Sequence, residues 1–62
     1  MPIVQVNLIE GRTLEQKRRL VAEITNAVVN CVDAPPDAVK VILNEMPREN
    51  YASAGVLYAD KK

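Results

Sequence analysis

The sequence contains no histidine, tryptophan or phenylalanine, and only one cysteine, Cys31. Each absence removes a class of chemistry. Without histidine there is no imidazole base. With one cysteine there is no intrachain disulfide, and a structural zinc site lacks its ligands. Two tyrosines are the only aromatic residues, and eight basic residues are cancelled by eight acidic ones. That leaves no aromatic platform or basic stripe for nucleic acid. No apolar run approaches the ~20 residues of a membrane helix. The N-terminus lacks the charged segment and apolar core of a secretory signal. The expectation is a cytoplasmic domain that uses no metal or cofactor and binds neither nucleic acid nor membrane.

What the chain has in quantity is apolar residues, 48% of its 62. A chain of this length makes one domain, residues 1–62, which alone buries only roughly 60% of its unfolded surface. Small domains compensate with disulfides, metal or oligomerisation. With the first two excluded, some apolar residues are expected to pack between subunits.

Pro2–Ile9 reads as a strand, with Val4, Val6 and Leu8 on one face and Ile3, Gln5, Asn7 and Ile9 on the other. Glu10-Gly11-Arg12 is a turn. Thr13 reads as an N-cap, with Gln16 completing a capping box and Glu15 suiting the helix dipole. The helix is expected from about Leu14 to about Val32, with Leu20, Val21, Ile24, Ala27, Val28 and Cys31 on its apolar face. Cys31 is therefore expected in the core rather than as a reactive thiol. Asp33-Ala34-Pro35-Pro36-Asp37 ends the helix, and Asp37-Ala38 suits a short turn. Val39–Glu45 reads as a second strand, with Val39, Val41, Leu43 and Glu45 opposite Lys40, Ile42 and Asn44. Strand, helix, strand is a β-α-β unit with parallel strands and a right-handed crossover. Met46–Asn50 is a loop, and Tyr51–Tyr58 suits an edge hairpin or a segment docked on a neighbouring subunit. Asp60-Lys61-Lys62 is expected to be a mobile tail. The fold class is α/β (α+β). Its two-stranded sheet needs completion by edge pairing between subunits.

Pro2 directly follows Met1. A small second residue favours removal of the initiator methionine, which exposes a secondary amine. Free α-amino groups titrate near pKa ~8, and burial or nearby cations lower that value. In a chain without histidine, this is the one group suited to general-base work near neutrality.

Pro2 at the head of a strand, Leu8–Thr13 after it, and a capped helix opening Leu14-Glu15-Gln16-Lys17 together resemble the 4-oxalocrotonate tautomerase family. Asp33-Ala34-Pro35, Val39–Ile42 and Glu45-Met46 continue the match in register. The resemblance spans essentially the whole chain. It implies a β-α-β fold with a C-terminal hairpin, pairing of two subunits into a four-stranded sheet, and a hexamer of three such pairs. It implies a cofactor-free isomerase of small 2-hydroxydienoate acids, such as 2-hydroxymuconate in aromatic hydrocarbon catabolism. In that chemistry the prolyl amine takes the proton of the 2-hydroxy group and returns it at a distant carbon.

The resemblance also implies roles for particular residues. Pro2 is the general base and acid. Arg12 matches an arginine that binds a substrate carboxylate across a subunit interface, and a planar guanidinium suits that task. Lys40 stands where better-known members carry a second arginine, which holds the carboxylate beside the 2-oxygen; lysine keeps the charge and loses the fork. Tyr51 matches an aromatic residue that lines the site. Ala52-Ser53-Ala54-Gly55 replaces a segment that is glycine-rich in many relatives, which predicts an altered hairpin with Gly55 as its special-conformation residue. Glu10, Asp37 and Glu45 have no pairing that marks them as acid–base groups. Two alternatives stand beside the tautomerase reading: a dehalogenase or hydratase on the same fold, disfavoured by Ile9 and Ser53, and a non-catalytic oligomer or one subunit of a mixed hexamer.

Overall fold

The computed structural model describes residues 1–61; of the expected tail, Lys62 lies outside them. The chain runs β1 (Ile3–Ile9), α1 (Leu14–Val32), β2 (Lys40–Met46), β3 (Ala52–Ser53) and β4 (Val56–Leu57). Short 3₁₀ turns occupy Pro36–Ala38, Arg48–Asn50 and Tyr58–Asp60. β1 and β2 pair in parallel, from Ile3 opposite Lys40 to Ile9 opposite Met46. β3 and β4 form a separate antiparallel hairpin. The expected β-α-β unit and hairpin are both present.

Local chemistry sets the helix ends. The Gln16 N–H donates to Thr13 Oγ1 at 3.1 Å, and the Thr13 N–H donates to Gln16 Oε1 at 2.9 Å, the reciprocal capping box. At the far end Asp33 turns left-handed at φ 60°, its N–H still bonded to the Val29 carbonyl, and Pro35 and Pro36 prevent continuation. α1 lays Lys17, Leu20, Val21, Ile24 and Val28 toward the sheet, where Val4, Val6, Leu8, Val41 and Leu43 are half-buried. The opposite sheet face, Ile3, Gln5, Asn7, Lys40, Ile42 and Asn44, is exposed. On it Asn44 Nδ2 donates to Asn7 Oδ1 at 2.9 Å.

Three expectations need correction. The sequence pattern puts Cys31 and Ala27 in the core, and both are exposed. At roughly 100° per residue Ala27 falls on the flank of the half-buried stripe, whereas Cys31 keeps the phase of Ile24 and is exposed in the last turn of α1. The tail begins later than the sequence suggests: Tyr58–Asp60 forms a turn closed by the Lys61 N–H to the Tyr58 carbonyl at 3.2 Å. The second strand starts at Lys40. Val39 instead closes the Pro36–Ala38 turn, and at 8% exposure it is the one buried residue among those described.

The hairpin turns through Ala54 and Gly55, with φ of 53° and 79°. Two consecutive positive φ values are what a two-residue primed turn requires. Gly55 takes this conformation freely. Ala54 takes it against its Cβ, at a cost of roughly 1–2 kcal/mol. The hairpin therefore forms with alanine rather than glycine at the first of these positions.

The lone chain has little interior. Its accessible surface is 4,879 Å², against about 4,000 Å² for a folded monomer of 6.9 kDa. Its radius of gyration is 14.7 Å, against about 11 Å for a compact domain of this length. The exposed apolar side chains include Ile3 and Ile42 on the open sheet face and Tyr51, Val56, Leu57 and Tyr58 on the hairpin arm.

Two substitutions test these local arguments. Thr13→Ala removes the cap and is expected to cost about 1 kcal/mol, read as a lower Tm at fixed protein concentration. Ala54→Asn creates an Asn-Gly turn and is expected to gain about 0.5–1 kcal/mol; an unchanged or lower Tm counts against strain at Ala54.

Candidate active site

Pro2 stands immediately before β1. Its carbonyl accepts the Lys40 N–H at 3.0 Å, which fixes it at the start of the ladder. Its nitrogen has no hydrogen to give, and at a strand start none is needed. Met1 before it is 81% exposed. While Met1 is attached, the Pro2 nitrogen is an amide and has no basic lone pair.

Lys40 opens β2 opposite Ile3. Its Nζ donates to the Asp37 carbonyl at 3.0 Å, so the ammonium lies over the end of the Pro36–Ala38 turn. Pro2 and Lys40 thus share the N-terminal edge of the sheet. The structure brings these two sequence candidates together within one chain.

Arg12 lies at the opposite edge, in the loop between β1 and α1. β1 is seven residues long, which separates the two ends by about 20 Å at ~3.3 Å per residue. The Arg12 Nη1 donates to the Ile9 carbonyl at 3.4 Å, a long contact that leaves most of the guanidinium free. Gly11 before it has φ 125°, a conformation essentially reserved for glycine.

Tyr51 follows the Arg48–Asn50 turn beyond the end of β2 and is 48% exposed. Its carbonyl accepts the Tyr58 N–H at 2.7 Å. Its ring meets that of Tyr58 edge-on, with centroids 6.3 Å apart. The Arg48 guanidinium stands 5.5 Å from the Tyr58 ring centroid. Arg48 and Tyr58 are residues that sequence reasoning does not single out. The only signal for them is the Tyr51–Tyr58 pairing across the hairpin, and that needs the turn at Ala54-Gly55 to be known first.

Arg12 and Tyr51 therefore sit at the C-terminal ends of the strands, and Pro2 and Lys40 at the N-terminal ends. One chain does not gather the four, and among the described residues it encloses no pocket. Of the acidic residues, Glu45 pairs with Lys17, and Asp37 meets Lys40 through its backbone carbonyl rather than its carboxylate. No three potential metal ligands come together among the described residues.

Comparison with known proteins gives one consistent result. The family model described as "Tautomerase enzyme" matches residues 2–61. A probable tautomerase of Streptococcus pneumoniae serotype 4 is 53% identical over 55 residues, covering 89% of this chain and 92% of the relative. The 2-hydroxymuconate tautomerase of Pseudomonas sp. strain CF600 is 44% identical over 55 residues, covering 89% and 87%. A solved structure from work on the 4-oxalocrotonate tautomerase isozymes of Methylibium petroleiphilum superposes with a TM-score of 0.90 at 52% identity, covering 94% of this chain and 91% of the other.

Gly11 offers a test of the loop that holds Arg12. A Cβ placed on it meets nothing within 4 Å, so Gly11→Ala suffers only from its backbone angle. The expected cost is about 1–3 kcal/mol, measured by denaturation. No loss of stability would show that the loop relaxes to another conformation.

Proposed function

The chain belongs to the tautomerase enzyme family, a family of isomerases, and has its 4-oxalocrotonate tautomerase-like fold; we propose that it ketonises small 2-hydroxydienoate acids such as 2-hydroxymuconate, with the amine of Pro2 as base. The observation that carries this reading is the placement of Pro2 beside Lys40 at one sheet edge, in a chain whose family match starts at Pro2.

Removal of Met1 converts the Pro2 nitrogen from an amide into a secondary amine. The ladder does not suffer, because Pro2 is held through its carbonyl. The neutral amine takes the proton from the 2-hydroxy group. The O–H electron pair becomes the C2 carbonyl π bond, the double bonds shift along the chain, and C5 takes the proton back from the prolyl ammonium. The product is the conjugated ketone, and no proton is gained or lost overall. The electrostatic task is to stabilise negative charge on the dienolate. Lys40 is assigned to the carboxylate beside the 2-oxygen, as a point charge rather than a fork. The far carboxylate of a dicarboxylate then falls to Arg12, which has guanidinium hydrogens free for a bidentate contact. Tyr51 is assigned to the pocket wall.

The roughly 20 Å between sheet edges means that these residues act together only when different copies of the chain supply them. An assembly is also supported by the surplus surface of the lone chain and by the exposed Ile3, Ile42, Val56 and Leu57. We take that assembly to be a homohexamer of three dimers, working in the cytoplasm, where the free Cys31 thiol stays reduced.

The test is ketonisation of 2-hydroxymuconate, followed spectroscopically with protein whose mass confirms loss of Met1. Protein that retains Met1 is expected to be inactive. Pro2→Ala and Arg12→Ala are each expected to lower kcat/KM by about 10²-fold with the assembly intact. The acidic limb of kcat/KM against pH reports the Pro2 amine: activity rises as pH increases through its pKa, because the base acts deprotonated. Full activity in the Met1-retaining protein would overturn the mechanism. Halide release from a 3-haloacrylate in place of ketonisation would replace it with the dehalogenase alternative.

A further inference from the structure

Two charged residues occupy apolar positions of their elements. Lys17 lies on the sheet-facing stripe of α1, in phase with Leu20, Val21, Ile24 and Val28. Glu45 is in phase with Val41 and Leu43 on β2 and stands opposite Leu8. Lys17 Nζ donates to Glu45 Oε1 at 2.5 Å, and the two side chains are only 28% and 31% exposed. The other ion pairs among the described residues, Glu15–Arg18 and Glu23–Arg19, lie within α1 and are well exposed. In a chain with so little core, charges at two core-phase positions call for a role beyond filling space.

Their location supplies one. The Glu10 N–H donates to the Met46 carbonyl at 2.9 Å. The segment Glu10–Lys17 is therefore tied at both ends to consecutive residues of β2, by backbone at Met46 and by side chain at Glu45. Between the ties lie Gly11 at φ 125°, Arg12, and the Thr13–Gln16 capping box. The Lys17 N–H also closes onto the Thr13 carbonyl at 3.1 Å. Arg12 itself has only the 3.4 Å contact to the Ile9 carbonyl, and it sits beside the positive end of the helix dipole, which does not hold a cation. What the clamped segment fixes is thus the point from which the Arg12 side chain leaves the backbone.

We propose that Lys17 and Glu45 are positioning residues that aim Arg12 at the far carboxylate of a dicarboxylate substrate. A segment fixed before binding loses less freedom when the carboxylate arrives, so the clamp acts on substrate affinity and on the choice of dicarboxylates over monocarboxylates. The inference rests on the assignment of Arg12 as a carboxylate anchor.

The experiment compares steady-state ketonisation of 2-hydroxymuconate with that of 2-hydroxypenta-2,4-dienoate, which has the same reacting group and no far carboxylate. Glu45→Gln is expected to raise KM for the dicarboxylate on the order of tenfold, leaving kcat and the monocarboxylate KM unchanged. In an Arg12→Ala background the same change is expected to cause no further loss, because residues acting through one another are not additive. The charge-swapped pair Lys17→Glu with Glu45→Lys is expected to restore the dicarboxylate KM, and Lys17→Met repeats the test if Glu45→Gln fails to assemble. Equal losses on both substrates, or additive losses with Arg12→Ala, would reduce the pair to a helix–sheet prop and overturn the proposal. An effect of Arg12→Ala without one from the clamp variants overturns the clamp alone. No effect of Arg12→Ala on the dicarboxylate overturns the anchor assignment and the clamp with it.

Discussion

Parallel strands cannot be joined by a tight turn, so the pairing of β1 with β2 commits the chain to a long crossover. α1 is that crossover, and almost every other feature follows from it. The register from Ile3–Lys40 to Ile9–Met46 sets both strand starts at one edge and both strand ends at the other. Pro2 and the Lys40 ammonium share the first edge. The Arg12 loop and the chain leading to Tyr51 leave from the second. The division of the candidate residues into two pairs is thus a consequence of parallel topology. It does not depend on any individual side chain.

The same topology explains the shortage of interior. One helix covers one face of a two-stranded sheet, and nothing among the described residues covers the other face or the outer strand edges. The hairpin offers no remedy, since β3 and β4 pair only with each other, and its apolar residues Val56, Leu57 and Tyr58 remain exposed. On the proposed reading, a chain built this way gains stability and a complete set of functional groups by one route, association with further copies. In the proposed enzyme, loss of assembly and loss of activity then share a physical cause. A variant that affects only catalysis is recognisable because its surplus surface stays covered.

Local signals in the sequence were legible where they act over a few residues. Thr13 and Gln16 marked the helix start, and the hydrogen bonds of the capping box are there. Pro35 and Pro36 marked its end. Alternation sorted the residues of both strands into two faces, and the adjacency of Pro2 and Lys40 follows from the parallel pairing that the β-α-β reading implied. Readings failed where one residue could be assigned to either side of a boundary. Cys31 sits at helical spacing from Ile24 and Val28, yet it falls in the last turn of α1 and is exposed. Val39 alternates correctly for a strand, but its N–H is used by the preceding turn. The contacts that join distant segments were not legible. Lys17 with Glu45, and Arg48 with Tyr58, are pairs of ordinary surface residue types, and only the fold makes them neighbours.

The base proposed at Pro2 has its own physical logic. A backbone N–H in a sheet normally belongs to the ladder, so a nitrogen used for chemistry removes a structural bond. Proline has no such hydrogen, and the first strand position is where that lack matters least. Its carbonyl meanwhile takes the Lys40 N–H, so the residue is anchored through the atom that chemistry does not need. In a chain without histidine, a carboxylate or lysine base would require a buried setting to bring its proton affinity toward neutrality, and the described residues offer almost no buried volume in which to build one. An amine at the strand start already has an intrinsic proton affinity near neutrality. It requires of the fold a fixed position, and the β1–β2 edge supplies that through the Pro2 carbonyl.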